Sequence, residues 1–181
     1  MLSARRPGHL RWTGLVIVGL AVLLAVAVPL PWVRVTGHFP PTISVADPTP
    51  TLTVAGIGHG PHAVWGWLTL VCGVTTALIA AVGGVLRNGR LMGAAAIPGL
   101  VAFGGIVTMA IRLRYATPRS TLPDVAATLP QSLRDGLTVS VLPGSGWHLA
   151  LSAAWLIIGA GTAVFVLNGK AGERLGRPDR P

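Results

Sequence analysis

The stretch AVWGWLTLVCGVTTALIAAVGGVL, Ala63 to Leu86, decides the fold together with the turn Arg87-Asn88-Gly89-Arg90 and the run LMGAAAIPGLVAFGGIVTMAI, Leu91 to Ile111. Neither run contains Asp, Glu, Lys or Arg, and each reaches the roughly 20 mostly apolar residues that cross a bilayer as a helix. The hydrocarbon core offers no water to backbone N–H and C=O groups, so every one must be paired within the segment; this predicts helices. The runs are continuous rather than alternating, which excludes a β-barrel. The short basic turn between them makes the pair an antiparallel hairpin.

Two more runs of the same kind flank the hairpin, from about Leu15 to Trp32 and from about His148 to Leu167. The sequence therefore predicts an all-α membrane protein, one domain over residues 1–181: a four-transmembrane-helix bundle with spans near 15–32, 63–86, 91–111 and 148–167 and outer loops 33–62 and 112–147. Composition agrees. Hydrophobic residues make up 51% of the chain and charged residues 10%, with a mean hydropathy of +0.67, whereas soluble chains carry about 25% charge. The acids Asp47, Asp124, Asp135, Glu173 and Asp179 all lie outside the apolar runs.

The net charge is +9, and the basic residues gather at the ends of the runs, as topology signals do. No basic stripe is interleaved with aromatics, so nucleic-acid binding is not expected. One side of the bundle carries Arg5, Arg6, Arg11, Arg87, Arg90, Lys170, Arg174, Arg177 and Arg180 on short segments. The other carries Arg34, Arg112, Arg114, Arg119 and Arg134 across two long loops. The first side is expected to be cytoplasmic, giving a multi-pass protein of the cell membrane with both termini inside. Ala25-Val26-Ala27 matches a signal-peptide cleavage pattern, but the apolar run continues to Trp32, longer than the usual secretory core, so an uncleaved first span is expected.

Trp12, Trp32, Trp65, Trp67 and Trp147 fall at span ends, where an amphipathic ring suits the headgroup level; Trp155 lies deeper and is expected between helices. Small residues let helices approach in lipid. Gly73, Ala77 and Ala81 form one such row, Ala95 and Gly99 another beside Pro98 as a kink, and Trp155, Gly159 and Ala163 a third. These rows predict packing within the chain, with a partner helix as the alternative. In the loops, Val33–Gly37, Thr51–Ala55 and Leu137–Leu142 alternate as strands do, which predicts a small extracytoplasmic β-sheet formed by the two outer loops. A short helix is expected between Leu122 and Leu133.

Pro31-Trp32-Val33 before a long first loop, Val64-Trp65-Gly66-Trp67-Leu68 opening the second helix, and Pro143-Gly144-Ser145-Gly146-Trp147 before the last helix give the chain a distinctive layout. It resembles small four-helix membrane proteins of actinobacteria. It is similar in outline to the tryptophan-associated transmembrane family, and more loosely to claudin-type folds. The two loop cysteines of claudins are absent, Cys72 being alone and inside a span. The resemblance implies a four-helix membrane fold with an outer sheet and no assigned activity.

Chemistry is sparse. His59-Gly60-Pro61-His62 sets two imidazoles three residues apart, a spacing also seen in metal sites. His38 and His148 can join them if the loops meet above the bundle, so these four are the candidate metal ligands; the alternative is that they are interfacial polar residues. No histidine lies in mid-span to hold haem, and no intramembrane charge is present to couple ion transport. No cofactor is expected. A single cysteine cannot serve a dithiol exchange site. Gly144-Ser145-Gly146 with His148 and Asp124 or Asp135 lacks the strand–elbow–helix context of a nucleophile and reads as a flexible turn. The basic tail Gly169–Pro181 suits an anionic lipid surface. The sequence thus points to a non-enzymatic accessory or scaffold protein that contacts the lipid bilayer and binds another membrane protein or its own copy. The alternative is a binder of a lipid-like molecule or an extracytoplasmic metal at the outer end of the bundle.

Overall fold

Helix α1 (Gly8–Ala27) stops where proline begins. Pro29 has no N–H to continue the ladder and disfavours helical geometry at the residue before it. Val28 N–H instead closes a tighter turn onto Ala25 O at 3.2 Å. Pro31 then opens strand β1 (Pro31–His38). The helix is therefore shorter at its C-terminal end than the expected run to Trp32, and Trp32 belongs to the sheet. The computed structural model describes residues 8–38, 51–57, 63–114 and 138–175, with side chains over 11–36, 53–57, 63–112 and 140–168.

Strand β2 (Thr51–Ala55) precedes helix α2 (Ala63–Val85). A tight turn closes α2. Asn88 N–H donates to Gly83 O at 2.9 Å and Arg87 N–H to Gly84 O at 3.4 Å, while Arg87 takes a φ of 51°. This is the Schellman arrangement, with arginine in the left-handed position that glycine usually fills. Asn88 then caps helix α3 (Gly89–Ala94), its side chain accepting from the backbone N–H groups of Arg90 and Leu91. Helix α4 (Ala96–Arg114) follows after a break at Ala95. Pro98 explains the break: it offers no N–H to the carbonyl four residues earlier, and Ala95 N–H closes a three-residue turn onto Met92 O.

Strand β3 (Thr138–Pro143) leads into helix α5 (Ser145–Leu175). Three stretches are long and apolar enough to cross a membrane, Ala63–Val85, Gly89–Arg112 and Ser145–Asn168; the apolar part of α1, Arg11–Ala27, is shorter. α1 packs against α2 and α5, and α4 against the same two, so these four helices form a closed ring. Their shared interior holds Leu24, Cys72, Ala102, Ile106, Met109, Ala153 and Ile157.

Small residues do set the helix contacts, though not always the expected ones. A Cβ on Gly14 would lie 3.4 Å from Gly84 Cα, and one on Gly73 3.2 Å from Ala21 O, so α1 and α2 meet almost backbone to backbone. Ala77 is half-buried and Ala81 exposed on the same helix. Gly99 seats Ile157 and Gly161 seats Ala96 across the α4–α5 contact. Gly159 and Ala163 are exposed, and Trp155 is 63% exposed. The expected inward row Trp155–Gly159–Ala163 faces outward instead. α5 is apolar on every side, so spacing alone does not say which small residues turn inward.

The sheet is antiparallel, in the order β2-β1-β3. Val33 pairs with Val54 and Pro143, Arg34 with Thr53 and Leu142, and Val35 with Leu52 and Val141. Val33 and Val35 point into the bundle core, while Arg34 is exposed. Pro143 ends an edge strand, where a missing N–H costs no ladder bond. The expected strands thus form one sheet contributed by both loops. The short helix expected within Leu122–Leu133 lies outside the described residues.

Candidate functional site at the sheet end of the bundle

The end of α1, the starts of α2 and α5, and the sheet converge on Trp32. Its indole is fully buried and Nε1 donates to Ala27 O at 2.8 Å, closing the C-terminal end of α1. Glycines from two distant segments make room for it. A Cβ on Gly56 would lie 2.7 Å from Trp32 Cε2, and one on Gly146 would lie 2.8 Å from Trp32 Cδ1. Gly144 N–H donates to Trp32 O at 2.8 Å, and a Cβ there would strike the carbonyl of Pro31. Gly66 faces Gly56 so closely that any Cβ would overlap the Gly56 carbonyl. Trp32 is therefore a keystone rather than a headgroup anchor, and Gly144-Ser145-Gly146 is a packed junction rather than a flexible turn.

Around this keystone lie two partly exposed aromatic groups. Trp147 donates from Nε1 to Ile106 O at 3.4 Å, and the exposed His148 meets it edge-on with ring centroids 5.0 Å apart. Arg112 sits 6.0 Å from the ring centroid of Trp65, within reach of a cation–π attraction. Beside Trp147 a cavity of about 450 Å³ opens between α4, α5 and β3, walled by Phe103, Val107, Ile111, Val141, Pro143 and Leu151. Its walls are almost wholly apolar, and the Trp147 indole N–H is already directed to a backbone carbonyl. The site can hold an apolar group by exclusion of water and has no acid, base or nucleophile in its lining.

Of the four histidines, His148 lies at the start of α5, one turn from Gly144. His38 ends β1 opposite Thr138, five ladder positions from the Val33–Pro143 pair, or about 17 Å at strand rise. The two therefore sit at opposite ends of the β1–β3 ladder. His59 and His62 lie outside the described residues, as do Asp124 and Asp135. Among the described residues no group of three or more His, Cys, Asp or Glu side chains comes together. Phe103, Val107 and Leu151 give no sign of a cavity in the sequence. Gly146, beside Trp147, does mark the keystone, because close approach of backbone to an indole needs a residue without a Cβ.

The sequence matches no known protein-family model and no curated protein.

Proposed function

We propose that this chain is a four-span protein of the cell membrane, with both termini cytoplasmic and the sheet outside, and that it acts as a non-enzymatic accessory subunit binding another membrane protein. The fourth span is α1: its 20 residues rise about 30 Å, the thickness of the hydrocarbon core. The orientation is supported by Arg11, Arg87 and Arg90 at one end of the bundle, on short segments.

The outward face of α5 carries the accessory reading. Gly159 and Ala163 are exposed, a Cβ on Gly159 would meet nothing within 4 Å, and Trp155 projects beside them. Small residues permit close helix approach, and this face leaves that capacity unused within the chain. Purification in mild detergent with identification of co-purifying proteins tests it. A membrane partner at near-equal amount, lost from the Gly159→Leu variant while the variant keeps its wild-type melting temperature, is the expected result. A protein that purifies alone, or a partner indifferent to Gly159→Leu, overturns it.

A second reading has its own observation, the apolar cavity of about 450 Å³ beside Trp147. It suits a lipid-like molecule at the outer end of the bundle. Val107→Trp would fill it and is expected to abolish co-purification of such a molecule.

A further inference from the structure

On the opposite side of the ring from the α4–α5 cavity, α1 and α2 leave a long furrow open to their surroundings. Near the α3 end of the bundle it has a volume of about 440 Å³, and Arg11 stands in its wall with Leu15 and Val85. Farther along, a hollow of about 290 Å³ continues between Val22 and Leu78. Val18 and Ala81 line both hollows, so the two are one furrow. It exists because the floor is glycine and alanine while the walls are valine and leucine. It runs from Val85, the last residue of α2, to Gly73, near the midpoint of that 23-residue helix. Twelve residues of helix rise about 18 Å, a little over half of a hydrocarbon core of about 30 Å.

We propose that this furrow binds one acyl chain of an anionic phospholipid from the leaflet at its Arg11 end, with the lipid phosphate on the Arg11 guanidinium. Three features commit it to that occupant. First, the furrow has the length of one leaflet. Second, its mouth is cationic: Arg11, Arg87 and Arg90 are all exposed at that end, and no Asp or Glu occurs among the described side chains to neutralise them. Guanidinium matches phosphate with paired, charge-assisted hydrogen bonds. Third, the furrow is small, its two hollows holding about 440 and 290 Å³. A helix is 10–12 Å across with its side chains and would ride over it, whereas a single hydrocarbon chain lies within it. The inference rests on the membrane-spanning reading and is separate from the partner face on α5.

Native mass spectrometry of the delipidated full chain, given equal phosphatidylglycerol and phosphatidylcholine of identical acyl chains, tests the assignment. Phosphatidylglycerol is expected to be retained in excess. Arg11→Gln should reduce that excess about fivefold, the loss of one near-surface guanidinium, and Arg11→Lys should restore most of it. Ala81 is exposed in the furrow, so Ala81→Phe should block retention of both lipids while leaving the melting temperature unchanged. Val22→Phe, an independent plug at the far end, serves if Ala81→Phe unfolds. Equal retention of the two lipids, an excess that survives Arg11→Gln, or a dimer that Ala81→Phe dissolves would each overturn the lipid assignment. Release of the protein from native membranes by alkaline carbonate would instead overturn the spanning reading beneath it.

Discussion

Thr76 is buried at 0% exposure, and among the described residues its hydroxyl has no hydrogen-bond partner, while Thr69, two turns earlier, returns its hydroxyl to Trp65 O at 2.8 Å. An unsatisfied buried hydroxyl carries a desolvation cost that an isosteric methyl does not. Thr76→Val is therefore expected to stabilise the protein by about 1 kcal/mol, read as a higher midpoint in thermal unfolding in mild detergent; a lower midpoint would show that the hydroxyl is in fact satisfied. Arg87 makes the same kind of point for the backbone. Its φ of 51° costs a side-chain-bearing residue about 1 kcal/mol. Arg87→Gly should raise the melting midpoint while removing one of the basic residues on which the proposed orientation rests. Trp32→Phe would remove the donor to Ala27 O and leave part of the glycine-lined pocket empty, an expected loss of about 2 kcal/mol. An unchanged midpoint for Trp32→Phe would refute the keystone role.

The helices differ in how plainly the chain announces them. α2, the α3–α4 pair and α5 are legible because hydropathy accumulates over about 20 residues, and no charge interrupts it. Strands are legible because Val33, Val35 and their partners alternate with polar neighbours, and alternation has no helical explanation. The end of α1 is hard to place because Leu30 and Trp32 are as apolar as the helix before them; only Pro29 and Pro31 distinguish the segment. The inward face of α5 is not legible for a related reason. Gly159 and Gly161 are both small and two residues apart, about 200° around the helix, and only the partner surface decides which is buried. The cavity beside Trp147 is hidden because α4 lies well before β3 and α5 in the chain, and only the fold brings their side chains together. Contact between α2 and the loop after β2 supplies a sharp check. Gly66→Ala is expected to cost about 3 kcal/mol through overlap with Gly56, seen as loss of a folded, monodisperse peak in detergent. A wild-type elution profile would refute the close approach.

For the molecule as a whole, orientation is the property on which the proposals depend most. With Cys72 replaced by Ala, Arg34→Cys is expected to react with a membrane-impermeant maleimide on intact cells, and Arg90→Cys only after permeabilisation. The reverse pattern would place the sheet in the cytoplasm. Within the sheet, β1 lies between β2 and β3 and pairs with both. Its first partner arrives within one loop, but the second lies far along the chain: Ser140 Oγ donates to Thr36 O across 104 residues. A nascent chain halted before residue 138 would thus have made α1 to α4 yet would still display one open edge of β1. Its Trp32 would lack the cover of Gly144 and Gly146. A copy in which β3 has not yet paired thus differs from the folded one on the face that carries the sheet, by an open strand edge and an uncovered indole.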